Sequence, residues 1–302
     1  MLPFSRVTII GLGLIGSSVA RAVRQHMPTV RLTGHDADAG VRARADALDI
    51  VDDITDTVGA AVTDAEFVIL CVPVGAMGKV AAEMAADLPA EAIVSDVGSC
   101  KAEVARALTL ALPSATIVPA HPVAGTERSG PEAGFATLFH GRWCIVTPLA
   151  DGDPVATDRV AEFWRRLGSQ VETMAPEHHD RVLAVTSHLP HLIAYTIVVT
   201  ANDLAEVTQS EVIKFSAGGF RDFTRIAASD PTMWRDVFLA NKEAVLEMLQ
   251  RFSEDLTHLQ RAIRRDDGDT LFDLFSRTRT IRRSIVDQGQ DDPAADFGRK
   301  HE

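Results

Sequence analysis

A chain of 302 residues, 46% hydrophobic and 24% charged, has room for two domains and the composition of an ordinary globular protein. Its formal net charge of −12 argues against nucleic acid or an anionic membrane as a partner, because both call for a basic surface. Any anionic ligand must then be met by locally placed arginine, lysine or helix N-termini.

Three widely spaced cysteines, Cys71, Cys100 and Cys144, form no CxxC pair and suggest neither a disulfide framework nor a zinc site. The first apolar run carries glycines with their own explanation, and it does not read as a secretory signal. The longest uncharged apolar stretch, around Leu189 to Asn202, falls short of the ~18 residues of a spanning helix and contains Pro190 and His191. The expected setting is the cytoplasm, without a membrane, nucleic acid or metal.

In chain order, Arg6 to Ile10 is a β-rich run feeding Gly11-Leu12-Gly13-Leu14-Ile15-Gly16, followed by an alanine-rich helical pattern. Strand, glycine turn and helix are the setting of a dinucleotide fingerprint. Gly11 suits the tight turn, Gly13 admits a pyrophosphate, and Gly16 lets helix and strand approach. The helix N-terminus offers its free N–H groups to the phosphates. The next strand ends in Asp36, whose carboxylate can accept both ribose hydroxyls and would repel a 2′-phosphate, so NAD is expected over NADP. The alternative for Asp36 is an N-cap of the following helix.

Further strand and helix patterns alternate. Phe67 to Val72 is nearly continuous in apolar residues, as for a strand buried on both faces, and breaks at Pro73. Ile93 to Val97 runs into Asp96-Val-Gly-Ser-Cys-Lys101, and Ala115 to Val118 runs into Pro119-Ala-His121-Pro-Val-Ala-Gly-Thr-Glu127-Arg-Ser-Gly130. Trp143 to Thr147 and Gln170 to Thr173 are later strands of the same alternation. The expected fold is α/β, a Rossmann-type doubly wound, mostly parallel sheet, followed by an all-α domain. Gly11, Asp36, Val72, Pro73, Ser99 and His121 then share the strands' carboxyl ends, where such sheets bind ligands. The segment from Pro119 to Gly130 is expected to be irregular because of Pro122, Gly125 and Gly130. His121 there is either a strand cap or a reactive imidazole, and Glu127 either pairs with Arg128 or faces a ligand.

The expected boundary lies near residue 175, giving a nucleotide-binding domain over 1–175, a helical domain over 176–287 and a flexible acidic tail over 288–302. The helical part opens on a long helix with His188-Leu-Pro-His191, where Pro190 should kink the helix by leaving the Thr186 carbonyl without its donor. The two histidines lack an accompanying acid or cysteine ligand. His191 reads as a substrate-facing imidazole, with a core histidine as the competing reading. Gly218-Gly219 breaks the helix before Arg221 and Arg225, whose spacing suits a carboxylate-binding pair or exposed salt bridges. From Ser229-Asp230-Pro231 one helix is expected to run to about Arg265, with Phe238, Val245, Leu249, Phe252, Leu256, Leu259 and Ile263 as an apolar seam that requires a partner helix. One more amphipathic helix, from Thr270 to about Val286, is insufficient cover, so dimerisation through this half is expected.

Taken together, the glycine turn, Asp96 to Lys101, His121 to Gly130, His188 to His191, and Gly218 to Arg225 through Trp234 resemble the prephenate/arogenate dehydrogenase family in order and spacing across most of residues 6 to 265. The resemblance implies a nucleotide-binding domain followed by a helical dimerisation domain, and NAD(P)-dependent oxidative decarboxylation of a cyclohexadienol on the route to tyrosine. It also implies that His121 is the catalytic base, with Ser99 as its hydrogen-bonding partner, and that Arg225 and His191 bind substrate. Arg221 stands where some relatives have lysine, and Trp234 is similar to a tryptophan that reaches the site from the other subunit. Gly218 and Glu127 complete the expected substrate contacts.

Two rival functions follow from the same residues. A β-hydroxyacid dehydrogenase shares the two-domain plan but should use a lysine in its helical domain, where Lys214 and Lys242 sit in no such motif. A catalytically silent NAD-binding sensor needs only the glycine turn and Asp36, and leaves His121, Ser99 and Arg225 unexplained.

Overall fold

The structure, a computed structural model, describes residues 2–126, 128–203 and 218–287. Glu127, Lys214 and the expected tail over 288–302 lie outside the described residues. The chain forms two compact units, Met1–Leu246 and Glu247–Glu302.

The first unit is built on a parallel sheet of β1 (Arg6–Ile10), β2 (Arg31–His35), β3 (Asp53–Ile54), β4 (Phe67–Leu70), β5 (Ile93–Asp96) and β6 (Thr116–Ile117) in the order β3-β2-β1-β4-β5-β6. β1 and β4 lie in the middle, which is why their sequences are runs of Val, Ile, Leu and Phe rather than alternating patterns. Both faces of the sheet are covered. Helix α1 (Leu14–His26) and α6 (Pro154–Arg166) bury Val19, Val23, Phe163 and Trp164 in a cluster with Phe4 and Phe67. Phe4 stacks on Phe67 at 4.3 Å between ring centroids. On the other face α3 (Val58–Val62), α4 (Met77–Met84) and α5 (Ala102–Ala111) enclose Val68, Leu70, Met77, Val104 and Leu108. Helix α2 (Ala39–Ala47) follows β2.

Three later strands depart from the expected single sheet. β7 (Ala120–Pro122), β8 (Trp143–Val146) and β9 (Gln170–Thr173) form a separate sheet in which β7 pairs antiparallel with β8, and β8 parallel with β9. His121 is therefore a strand residue, opposite Ile145, and not part of an irregular loop. The strand tolerates its proline because β7 is an edge, where Pro122 does not have to supply a ladder donor. Val123 carries the pairing one residue further by donating to the Trp143 carbonyl at 2.8 Å.

After β9, residues Pro176–Asp203 form one helical stretch, long and apolar enough by length and composition to cross a membrane. It consists of α7 (Pro176–Leu183), a π turn over Ala184–His188 and α8 (Leu189–Asp203). The π turn lies just ahead of Pro190 and widens the helix where proline can neither donate nor fit the normal ladder.

A short helix over Gly218–Thr224 and a 3₁₀ turn over Arg225–Ala228 lead to the helix Pro231–Ala240, which Asp230 caps by accepting from Met233 N at 2.7 Å. The expected unbroken rod is interrupted at Asn241, which is buried and turned inward, and the next helix spans Lys242–Arg264. The inward turn satisfies polar groups at the site, which favours the break over a straight helix.

In the second unit the rest of that helix and the helix Gly268–Asp287 are joined by a turn with Asp266 at φ 53°, closed by Asp267 accepting from Thr270 N at 3.1 Å. Leu256, Ile263, Phe272, Phe275 and Ile281 are exposed on this helical pair.

Candidate active site

The carboxyl ends of β1, β2, β4 and β5 form one rim. Gly11 holds φ +98°, and a Cβ there would lie 2.6 Å from the Cys71 carbonyl oxygen, so only glycine makes this turn. A Cβ on Gly16 would stand 1.9 Å from the Gly11 oxygen, which explains how α1 comes so near β1. Gly13 has open space where its side chain would be, and as N-cap of α1 it supplies no side-chain acceptor to the first-turn amides. Those amides and their partial positive charge are thus left for an anion.

Asp36 accepts from Leu12 N at 2.8 Å and from Asp38 N at 3.0 Å, which fixes its carboxylate beside the glycine turn. The capping alternative falls to Asp38, which accepts from Val41 N at the start of α2. Val72 is partly buried and Pro73 exposed on the loop after β4. Its 3₁₀ turn, Val74–Ala76, packs against the helix Pro231–Ala240.

The imidazole of His121 is buried, and its Nδ1 lies 2.8 Å from Nε2 of His179. His179 Nδ1 in turn lies 2.8 Å from Asp180 Oδ1. The Asp180 carboxylate is held by the first amides of α5, accepting from Lys101 N at 2.7 Å and Ala102 N at 2.9 Å. Beneath this chain runs a fully buried ion pair of Lys101 and Asp96, and Lys101 Nζ also donates to the Ala120 carbonyl at 2.8 Å, next to His121.

Burial pushes the His121 pKa well below 6.5, and the nearby His179, Lys101 and His188 act in the same direction. Burial lowers His179 as well, opposed by its bond to Asp180. For Asp180, burial opposes ionisation, but the hydrogen bonds from His179, Ala102 and Lys101 prevail and hold its carboxyl below 3.8. Near neutrality the group is a carboxylate facing neutral imidazoles.

A second layer comes from the π turn. His188 is fully buried, and its Nδ1 lies 3.0 Å from Asn241 Nδ2, which also donates to the Asp180 carbonyl at 2.8 Å. A carbonyl only accepts, so that Asn241 atom is the amide nitrogen and His188 Nδ1 is its acceptor. His188 then carries its hydrogen on the buried Nε2. Burial takes its pKa down to about 4, and the Ser99 backbone nearby opposes the fall. His191, partly buried, donates from Nδ1 to the Ser187 carbonyl at 2.8 Å and stacks on Trp234 at 3.7 Å. Burial lowers its pKa, and the charge of Arg225 acts in the same direction. Arg221 and Arg225 are exposed and form no ion pair among the described residues. Gly218 starts the short helix that carries Arg221, and among the described residues only the Asp222 carboxylate lies within 4 Å of where its side chain would be.

A buried neutral imidazole at the edge of a dinucleotide cleft is equipped to take a proton from a substrate bound there. Comparisons with known proteins point to one family. The prephenate dehydrogenase nucleotide-binding domain matches residues 19–173, and the prephenate dehydrogenase dimerization domain matches residues 175–277. The chain belongs to the prephenate dehydrogenase family.

It is 45% identical to the cyclohexadienyl dehydrogenase of Zymomonas mobilis, covering 94% of this chain and 97% of that one. It is 33% identical to the prephenate dehydrogenase of Bacillus subtilis, covering 91% and 75%. Among solved structures, the Aquifex aeolicus prephenate dehydrogenase in complex with hydroxyphenyl propionate and NAD+ superposes with a TM-score of 0.87 at 34% identity, covering 93% of this chain and 98% of that one.

The geometry bears on two residues singled out by the family resemblance. His121 Nδ1 is taken up by His179, and Ser99 is partly buried with its hydroxyl against the Cys100 thiol. Trp234 is 6% exposed and packs between His191, His188 and Phe238 of its own chain. Sequence reading passed over His179, Asp180 and Asn241. Glu177-His178-His179-Asp180-Arg181 looks like a polar helix start facing water, yet His179 is fully buried. The available signal was a histidine followed directly by an aspartate at a helix entry, in a chain that already had a candidate imidazole base.

Proposed function

We propose that this chain catalyses the NAD-dependent oxidative decarboxylation of a cyclohexadienol carboxylate, prephenate and/or arogenate, in tyrosine biosynthesis, with His121 as the base. The chain is an oxidoreductase, and NAD is its cofactor. The observation that carries the assignment of roles is His121, buried and neutral on the strand beside the dinucleotide rim, with a titratable chain behind it.

The residues fit the cofactor. The amides of Gly11 to Gly16 and the uncapped N-terminus of α1 take the pyrophosphate, Asp36 takes the ribose hydroxyls, and Val72, Pro73 and Ser99 line the nicotinamide side. NAD, when bound, accepts the hydride from C4 of the substrate ring.

The other steps fall to the chain. Arg225 and Arg221 meet carboxylate groups, and His191, stacked on Trp234, borders the ring with Gly218 beside it. His121 takes the proton of the C4 hydroxyl. The ring carboxylate then leaves as carbon dioxide, its bonding pair passes through the ring to the C4 oxygen, and that oxygen recovers the proton as a phenol. A positioned base contributes about 10² to 10⁴-fold. Aromatisation supplies the thermodynamic pull, so the protein has mainly to orient ring and base.

In this reading residues 1–175 hold the cofactor and 176–287 supply substrate contacts and the interface of a homodimer working in the cytoplasm. The exposed apolar residues of the second unit support the dimer.

NADH formation with prephenate and with arogenate, each with NAD and with NADP, tests the proposal. Turnover with NAD on either substrate is expected, and the ratio assigns the preference. Absence of turnover on both, with NAD still bound, would overturn it and favour the silent sensor.

A further inference from the structure

The reaction just described takes a proton and gives it back, so the site requires a place to hold one proton and no route to solvent. The geometry behind His121 has that form. Asp180 is a carboxylate and accepts only, so His179 Nδ1, 2.8 Å away, must carry a hydrogen. Neutral His179 then has a lone pair on Nε2, and His121 Nδ1, 2.8 Å from it, must be the donor. His121 is left with its lone pair on Nε2, the form a base needs. The far end is closed, because both Asp180 oxygens are fixed by the amides of Lys101 and Ala102, and its carbonyl by Asn241. His179 is fully buried and Asp180 nearly so.

We infer that His121, His179 and Asp180 form a closed proton relay that stores the substrate's proton during turnover, with His179 as a positioning residue that also receives charge. The inference rests on the proposed reaction. When the substrate O–H bond breaks and an N–H bond forms on His121 Nε2, the His121 Nδ1–H bond breaks and its proton joins His179 Nε2. His121 stays neutral, and the cation sits on His179 against the Asp180 carboxylate. Decarboxylation puts negative charge on the substrate oxygen, both protons step back, and no proton is gained or lost. The titratable groups facing the pair are Lys101 at the start of α5, Asp96 on β5, Cys144 on β8, His188 on the π turn and Asp180 on α7. Lys101 and Asp96 form a buried ion pair of opposite charges, so Asp180 is the unpaired charge that selects His179 as the resting place.

The test uses the full-length protein and His179→Gln, whose amide oxygen can accept from His121 Nδ1 but cannot bind a proton. The variant should lose about 10²-fold in kcat, the lower end of a general-base contribution, with KM and NAD affinity unchanged. The acid limb of its pH–rate profile should move to lower pH, because His121 alone binds a proton less readily than the pair. Independently of activity, ¹⁵N spectra of the unmutated protein, assigned with His121→Asn and His179→Gln, should show hydrogen on Nδ1 of both rings near neutral pH. Hydrogen on His121 Nε2, or a kcat loss with an unmoved acid limb, would overturn the relay. If the unmutated protein turned over neither substrate, the substrate reading would fail, and the ring spectra would still decide the relay.

Discussion

Acid should destabilise this protein well above the pH at which carboxylates protonate, and His188 gives the effect a magnitude. Its ring is fully buried, with a pKa of about 4 against 6.5 for an ordinary imidazole. That difference corresponds to about 3 kcal/mol at ~1.4 kcal/mol per pH unit. The unfolded chain binds the proton first, so the stabilisation is whole above the unfolded value and is lost as pH falls toward the folded one. Between about pH 7.5 and about pH 5, roughly 2 kcal/mol should go through His188 alone, a sizeable part of a typical 5–15 kcal/mol. His121 and His179 are depressed as well and add in the same direction. Asp180 is silent in this window because its loss begins only below the unfolded carboxyl value. Urea unfolding at fixed protein concentration across this range measures the slope. His188→Gln lowers stability at every pH by disturbing the Asn241 contact, but its pH dependence should be shallower by roughly 2 kcal/mol over that window. Parallel curves for the two proteins would refute the assignment of the slope to His188.

His121→Asn should reduce turnover by about 10² to 10⁴-fold with NAD affinity intact, read by steady-state kinetics and calorimetry, and near-normal turnover would remove His121 from the base role. Asp36→Ser removes the charge opposed to a 2′-phosphate, so the ratio of kcat/KM for NAD to that for NADP should fall. An unchanged ratio would place the discrimination elsewhere on the rim.

Those residues show where the sequence was readable. The glycine turn, β1 and Asp36 were legible because each requirement is local: a positive φ at Gly11, a contact too close for a Cβ at Gly16, a carboxylate at a strand end. The sheet was legible because strands buried on both faces must be apolar throughout. The placement of His121 on a strand was not, since β7 exists only by pairing with β8 across about twenty intervening residues, and Pro122 disguises it. The break at Asn241 was hidden for a related reason. Its heptad pattern favours a continuous helix, and only the hydrogen-bonding demand of His188 and the Asp180 carbonyl, distant in sequence, turns the asparagine inward. The His179–Asp180 pair combines both difficulties, a polar run by local criteria and a buried one by tertiary contact.

Charge links these parts. A chain of net −12 has to hold a dinucleotide and a carboxylate substrate, both anions, against its own field. Much of its positive charge is already matched: Arg6 with Glu66, Arg24 with Asp52, Arg31 with Asp53, Arg42 with Asp56, Arg44 with Glu132. Such surface pairs contribute at most about 1 kcal/mol each to stability, so their larger consequence is to leave few free cations on the nucleotide-binding face. Arg42 illustrates this, since it lies beside Asp36, where a 2′-phosphate would sit, yet its guanidinium is committed to Asp56 and to the Asp36 and Ala37 carbonyls. Among the described residues, the N-terminus of α1 at the glycine turn and the guanidiniums of Arg221 and Arg225, the latter near His191, are not matched in this way. An anion drawn to this acidic protein therefore finds favourable positions beside the glycine turn and beside Arg225 and His191, and the proposed chemistry at His121 calls for cofactor and substrate there.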